Sequence, residues 1–92
     1  MINLTQKTYN EINIELANRI VKLRKRKKFS QMELARRSGV SVGSVKRFEQ
    51  TGAISLEAFT KIAIALDVEN ELEELFSEVP FSSIEEVING QS

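Results

Sequence analysis

The residues of this sequence best suited to chemistry are its cations. From Arg19 to Arg47 there are eleven Lys or Arg and one acid, Glu33, a balance of +10. From Glu49 onward ten acids stand against one base, Lys61, a balance of −9, and residues 1–18 contribute −1, so the whole chain is neutral. A chain polarised in this way steers a polyanion to one end and repels it from the other. Six of the cations fall together: Lys22, Arg24, Lys25, Arg26, Lys27 and Lys28. One or two cations at a helix end complement its dipole, but six call for a further reason. A membrane-surface helix would need large apolar residues exposed opposite the run, and the only apolar face there is required by the core. A nuclear-localisation reading of LRKRKK is unspecific, because any basic cluster matches it.

Other chemistries find little support. The chain has no histidine and no cysteine, which removes the commonest general base and metal ligand and any disulfide framework or thiolate site. Glu71, Glu73, Glu74 and Glu78 have no histidine or pocket signal beside them, so a solvated helix face is the better reading. Ser41 in GVSVG lacks the preceding strand and the histidine partner of a nucleophile elbow. The expectation is a protein that is not an enzyme and uses no cofactor and no metal. No apolar run approaches the roughly 20 residues of a membrane span, and no charged-then-apolar leader is present. Ninety-two residues suffice for one small domain with one core.

The elements that position the cations are helices. Thr8-x-x-Glu11 has capping-box spacing, and Ile12, Leu16, Ile20 and Leu23 then mark one helix face, widened by Ala17 and Val21, to about Lys27. Phe29–Leu34 is a complete start signal. Ser30 is the cap, Glu33 can reach back to it, and Phe29 and Leu34 stand at hydrophobic-staple spacing. Gly39 follows the last residue of this short helix, where a left-handed conformation reverses the chain at little cost. Ser41 caps a second short helix, with Val40 and Val45 as its staple and Val45 and Phe48 on one face. Thr51–Gly52 makes a turn. Ile54–Ser55 opens a further helix whose expected buried face is Leu56, Phe59, Ile62, Ala63 and Leu66, ending at Asp67. A fifth helix near Asn70–Ser77 places Leu72, Leu75 and Phe76 on one side and is stopped by Pro80. Residues 82–88 carry cap signals for a last short helix. Residues 1–7 alternate Ile2 and Leu4 but are too short to assign. The fold class expected is all-α, five helices around one core.

The central pattern Gln-x-x-Leu-Ala-x-x-x-Gly-Val-Ser-x-x-x-Val-x-x-x-Glu, carried by Gln31, Leu34, Ala35, Gly39, Val40, Ser41, Val45 and Glu49, resembles the lambda-repressor-like (xenobiotic response element, or Xre) family. With its flanking helices the resemblance covers roughly residues 14–76. It implies a compact five-helix helix-turn-helix domain with a short C-terminal extension, and sequence-specific binding to double-stranded DNA. In such a motif the second helix enters the major groove with its N-terminal residues toward base edges. Here that face carries Val42, Gly43, Lys46 and Arg47. Arg47 suits guanine O6 and N7, and Val42 suits a thymine methyl. Gly43 in an exposed helix costs roughly 0.5–1 kcal/mol relative to alanine; close approach of DNA would explain it, and a tolerated small residue explains it as well. Gln31 stands at the family's usual phosphate-contact position, and Ser41 and Ser44 match others, although Ser41 is already accounted for as a cap. The resemblance also implies a structural ion pair between Arg24, late in the first helix, and Glu49, at the end of the recognition helix.

The resulting expectation is a homodimeric transcriptional repressor on a palindromic operator, cytoplasmic and nucleoid-associated when bound. Residues 1–10 are read as a tail or arm, 11–78 as the DNA-binding domain, and 79–92 as a C-terminal extension for a partner or dimer contact. Leu75, Phe76, Phe81 and Ile84 are the candidate contacts; internal core competes, and is the preferred reading for Leu72 and Leu75. The stretch ELEELFSEVPFSSIEEVI resembles the DNA-binding antitoxins of Hip-type systems, which implies an autoregulating antitoxin partnered with a serine/threonine kinase toxin. A phage-type or stand-alone regulator is the alternative. A protein-interaction adaptor without specific DNA binding is the alternative of a different class.

Overall fold

The structure is a computed structural model that describes residues 5–78. Among the described residues five helices follow in order: α1 Tyr9–Arg26, α2 Gln31–Ser38, α3 Val42–Thr51, α4 Leu56–Ala65 and α5 Glu69–Glu74. Phe81, Ile84 and the helix expected over 82–88 lie outside the described residues, as do Ile2 and Leu4.

Four of the five starts are set by local chemistry. The side-chain oxygens of Thr8, Ser30, Ser41 and Ser55 accept from the backbone N–H of Glu11, Glu33, Ser44 and Ala58, and each bond satisfies a donor that has no partner within its helix. The Glu33 carboxylate does not complete a capping box; it pairs instead with Arg36 and with Arg37 Nε, the latter at 2.7 Å. Helices α2 and α3 end on glycines at positive φ, Gly39 (75°) and Gly52 (78°). The other two long helices stop without glycine. Lys28 and Asp67 both take φ 61°, closing paired Schellman bonds from Phe29 N to Arg24 O (3.1 Å) and from Val68 N to Ala63 O (2.9 Å). A lysine there costs about 1–2 kcal/mol relative to glycine.

The core joins all four long helices. Ala17 and Ile20 of α1, Leu34 of α2, Val40 from the turn, Val45 and Phe48 of α3, and Ile62 and Leu66 at α4 form one buried cluster. Phe48 meets Phe59 edge-on with ring centroids 5.7 Å apart. Helix α3 packs against both α1 and α2, α4 packs on α2, and α5 on α4.

Three expectations about burial are corrected. Leu56 is 77% exposed because it is the first residue of α4. Its side chain leans back past the helix end, where Ile54 already packs against the core. Ile12 is 46% exposed, because the core residues of α1 begin at Ala17 and the first turns extend beyond it. Helix α5 ends at Glu74, earlier than expected, so Leu75 and Phe76 leave the helix and stand 56% and 84% exposed. Neither residue is core. Helix α5 has no side-chain cap at its start, and Glu73 and Glu74 stand at its negative end, which opposes the dipole. Pro80 is not what stops it.

Candidate nucleic-acid interface

Helix α3 is held in place by one buried carboxylate. Glu49 accepts from Arg24 Nε at 2.7 Å and Arg24 Nη2 at 3.0 Å, a forked pair, and from Gln31 Nε2 at 2.8 Å. Arg24 also donates through Nη1 to the Phe29 carbonyl at 2.9 Å. The side chains of Arg24 and Glu49 are only 10% and 7% exposed. A bidentate guanidinium–carboxylate pair fixes orientation as well as distance. It ties the end of α1, the start of α2 and the last turn of α3 together. The α1 face against α3 is also unusually close: a Cβ on Gly52 would stand 2.9 Å from the Asn13 carbonyl carbon and 3.0 Å from Ile14 N.

With its rotation set, α3 buries Val45 and Phe48 and turns Gly43, Ser44, Lys46, Arg47 and Gln50 outward. Gly43, Lys46, Arg47 and Gln50 are spaced i, i+3, i+4, i+7 and so form one stripe. Among the described residues, a Cβ on Gly43 would meet no atom within 4 Å. Packing among the described residues therefore gives no reason for glycine there. Val42, at the first helical position, is half-buried.

Hydrogen bonding separates the polar candidates into two groups. Gln31 is engaged with Glu49, and Ser41 Oγ donates to Ser44 Oγ at 2.9 Å while accepting from Ser44 N. Among the described residues, the side chains of Lys46, Arg47 and Gln50 make no hydrogen bond or ion pair. Arg47 and Ser44 line an open cleft that runs to Ser55 and Ala58 at the start of α4, where free N–H groups and the helix dipole favour an anion.

The neighbouring cations are less available than the sequence count suggests. Arg36 and Arg37 both pair with Glu33, and Arg37 lies over the Phe29 ring at 4.3 Å. The Arg36 hydrogen bond, with help from Arg37, holds the Glu33 carboxyl below its ordinary range. In the α1 run, Arg24 is buried in its ion pair and Lys27 reaches Asp67 at 3.3 Å, leaving Lys22, Lys25, Arg26 and Lys28 exposed. Two features were not read from the sequence: the link from Gln31 to Glu49, and Gln50 as the last member of the stripe. The heptad-like spacing from Gly43 was the signal available for Gln50.

Two short capped helices joined through a left-handed glycine, the second presenting a cationic stripe, define a helix-turn-helix domain. A family model described as helix-turn-helix matches residues 20–69. The chain belongs to this family, the Xre or lambda-repressor-like class of DNA-binding transcriptional regulators. No curated protein and no solved structure matches it. Among the described residues no helix is long and apolar enough to cross a membrane.

Proposed function

We propose that the protein is a homodimeric, sequence-specific repressor that reads a palindromic operator through α3. The observation that carries this reading is the outward stripe of Gly43, Lys46 and Arg47 on a helix whose rotation is locked by the Arg24–Glu49 pair. Arg47 reads guanine, Val42 contacts a thymine methyl, and the backbone at Gly43 approaches the duplex closely. Gln31, Ser41 and Ser44 hold phosphates, Gln31 through the part of its amide that Glu49 leaves unengaged. Two copies bind half-sites about 34–36 Å apart.

The regulator is further proposed to be an autoregulating antitoxin of a Hip-like pair, with a serine/threonine kinase toxin as its partner. What supports this is the acidic stretch from Asp67 to Glu78, which contains no base, together with Leu75 and Phe76 exposed within it. Exposed apolar anchors inside a rim of one charge suit a protein contact, and Phe81 and Ile84 continue the pattern in sequence. A cytoplasmic location, on the nucleoid when bound, goes with this role.

Selection of bound sequences from a random duplex pool, followed by titration of an enriched duplex at several salt concentrations, tests the DNA reading. One enriched palindromic motif is expected, with affinity falling steeply as salt rises because displaced counterions drive binding. A flat salt response or equal binding to every duplex refutes it. Removing residues 79–92 tests the partner reading, with dimerisation and co-purification with the kinase measured separately; if neither changes, the extension holds no partner.

A further inference from the structure

Gln50 is the one outward polar residue of α3, beside Lys46 and Arg47, whose side chain makes no bond to the protein among the described residues. Its neighbours on either side are committed. Glu49 is buried under three hydrogen bonds from Arg24 and Gln31, and Thr51 Oγ1 donates to the Arg47 carbonyl at 2.7 Å and accepts from Ala53 N. Gln50 therefore projects from a backbone that is fixed on both sides.

Helical geometry gives its place on the face. At 3.6 residues per turn, Gln50 lies within about 20° of Gly43 and about 60° of Arg47 around the α3 axis. A rise of about 1.5 Å per residue puts it about 4.5 Å beyond Arg47 along that axis. Base pairs are stacked about 3.4 Å apart, so with α3 lying along the groove, its last turn still within reach of the bases, the two side chains address positions one to two steps apart. A glutamine amide offers a donor and an acceptor side by side, the pattern that matches adenine N6 and N7 in the major groove.

We infer that Gln50 is a specificity-determining residue, and that the recognised half-site carries an adenine one to two base pairs from the guanine read by Arg47. This rests on the reading of α3 as the base-reading helix. The stripe from Gly43 to Gln50 then spans about 10.5 Å, or about three base-pair steps.

The experiment is the random-duplex selection run on the full chain with wild type, Gln50→Ala, Gln50→Glu and Arg47→Ala, each checked by thermal melting. Wild type enriches a motif with guanine and adenine at this spacing. Gln50→Ala keeps the guanine and loses the adenine preference, lowering discrimination at that position roughly five- to a hundredfold, as for one lost bidentate contact. Gln50→Glu, an acceptor only, shifts the same position toward cytosine. If Gln50→Ala weakens every duplex equally, Gln50 holds a phosphate and the inference is wrong, while base reading by Arg47 stands. No change with Gln50→Ala also overturns it. Failure of wild type to enrich any motif overturns the underlying reading of α3 as well.

Discussion

Gly43→Ala separates the two reasons a glycine can occupy an exposed recognition helix. The substituted methyl meets no atom of the described residues within 4 Å, and Gly43 has no positive φ, so the described fold offers alanine no resistance. Replacing a helical glycine with alanine stabilises by roughly 0.5–1 kcal/mol, with the lower end expected at the second position of α3. For a domain of this size that is a rise of about 2–8 °C in Tm. If DNA lies against the Gly43 backbone, the same methyl stands where a base edge or sugar must sit. Binding should then weaken at least about tenfold, equivalent to about 1.4 kcal/mol. The variant is therefore expected to be more stable and to bind more weakly, two effects of opposite sign that a folding defect cannot imitate. Thermal melting and fluorescence-anisotropy titration of a labelled operator, on one preparation, read both. A variant that melts higher and binds as well as wild type refutes close approach and leaves Gly43 as a tolerated small residue.

Glu49→Ala strands the Arg24 guanidinium with only the Phe29 carbonyl, and urea denaturation should show a loss of about 3–5 kcal/mol; a loss under about 1 kcal/mol would mean the pair behaves as an exposed one. Gly52→Ala should cost roughly 2–4 kcal/mol, combining a left-handed backbone with overpacking against Asn13 and Ile14. Gly39→Ala, at nearly the same φ but with nothing within 4 Å, should cost only about 1–2 kcal/mol, and equal losses for the two glycines would dismiss the close approach of α3 to α1. Arg47→Ala should lower affinity by about 1–3 kcal/mol and relax one operator position, whereas Gln31→Ala should weaken all operators alike; a panel of single-base operator changes that responds identically to both variants contradicts the division of roles.

Much of this molecule was determined locally and is legible without coordinates. The four serine or threonine caps, the staples Phe29–Leu34 and Val40–Val45, and the glycine after α2 act over three to five residues. Their spacing therefore specifies helix starts and the central turn directly. The apolar periods of α1 and α3 picked out Ile20, Val45 and Phe48 for the core. Charge segregation along the chain marked the basic half, since it needs only counting.

Tertiary structure decided what happens at the ends and between helices. Apolar spacing makes the inward faces of α1 and α4 continuous, but the residues they pack on run out, and Ile12 and Leu56 are left exposed. Periodicity describes a face and not its length. Leu75 and Phe76 likewise depended on where α5 stops. That short helix packs on α4 and has no side-chain cap at its start, and the acids at its negative end weaken it without specifying the residue at which it stops. Gly52 reads as a turn glycine in sequence; only the approach of α1 reveals that its missing Cβ is needed twice. The position of Gln31 suggests a phosphate contact; that its amide also donates to Glu49 follows only from the fold, which brings the start of α2 against the last turn of α3. The +10 balance of residues 19–47 also overstates the field available, since Arg24, Lys27, Arg36 and Arg37 find carboxylates whose nearness depends on helix geometry and, for two of them, on distant parts of the chain. Sequence supplies the charges and the caps; which charges remain to meet DNA is settled by packing, because an ion pair forms wherever the fold brings opposite charges within reach.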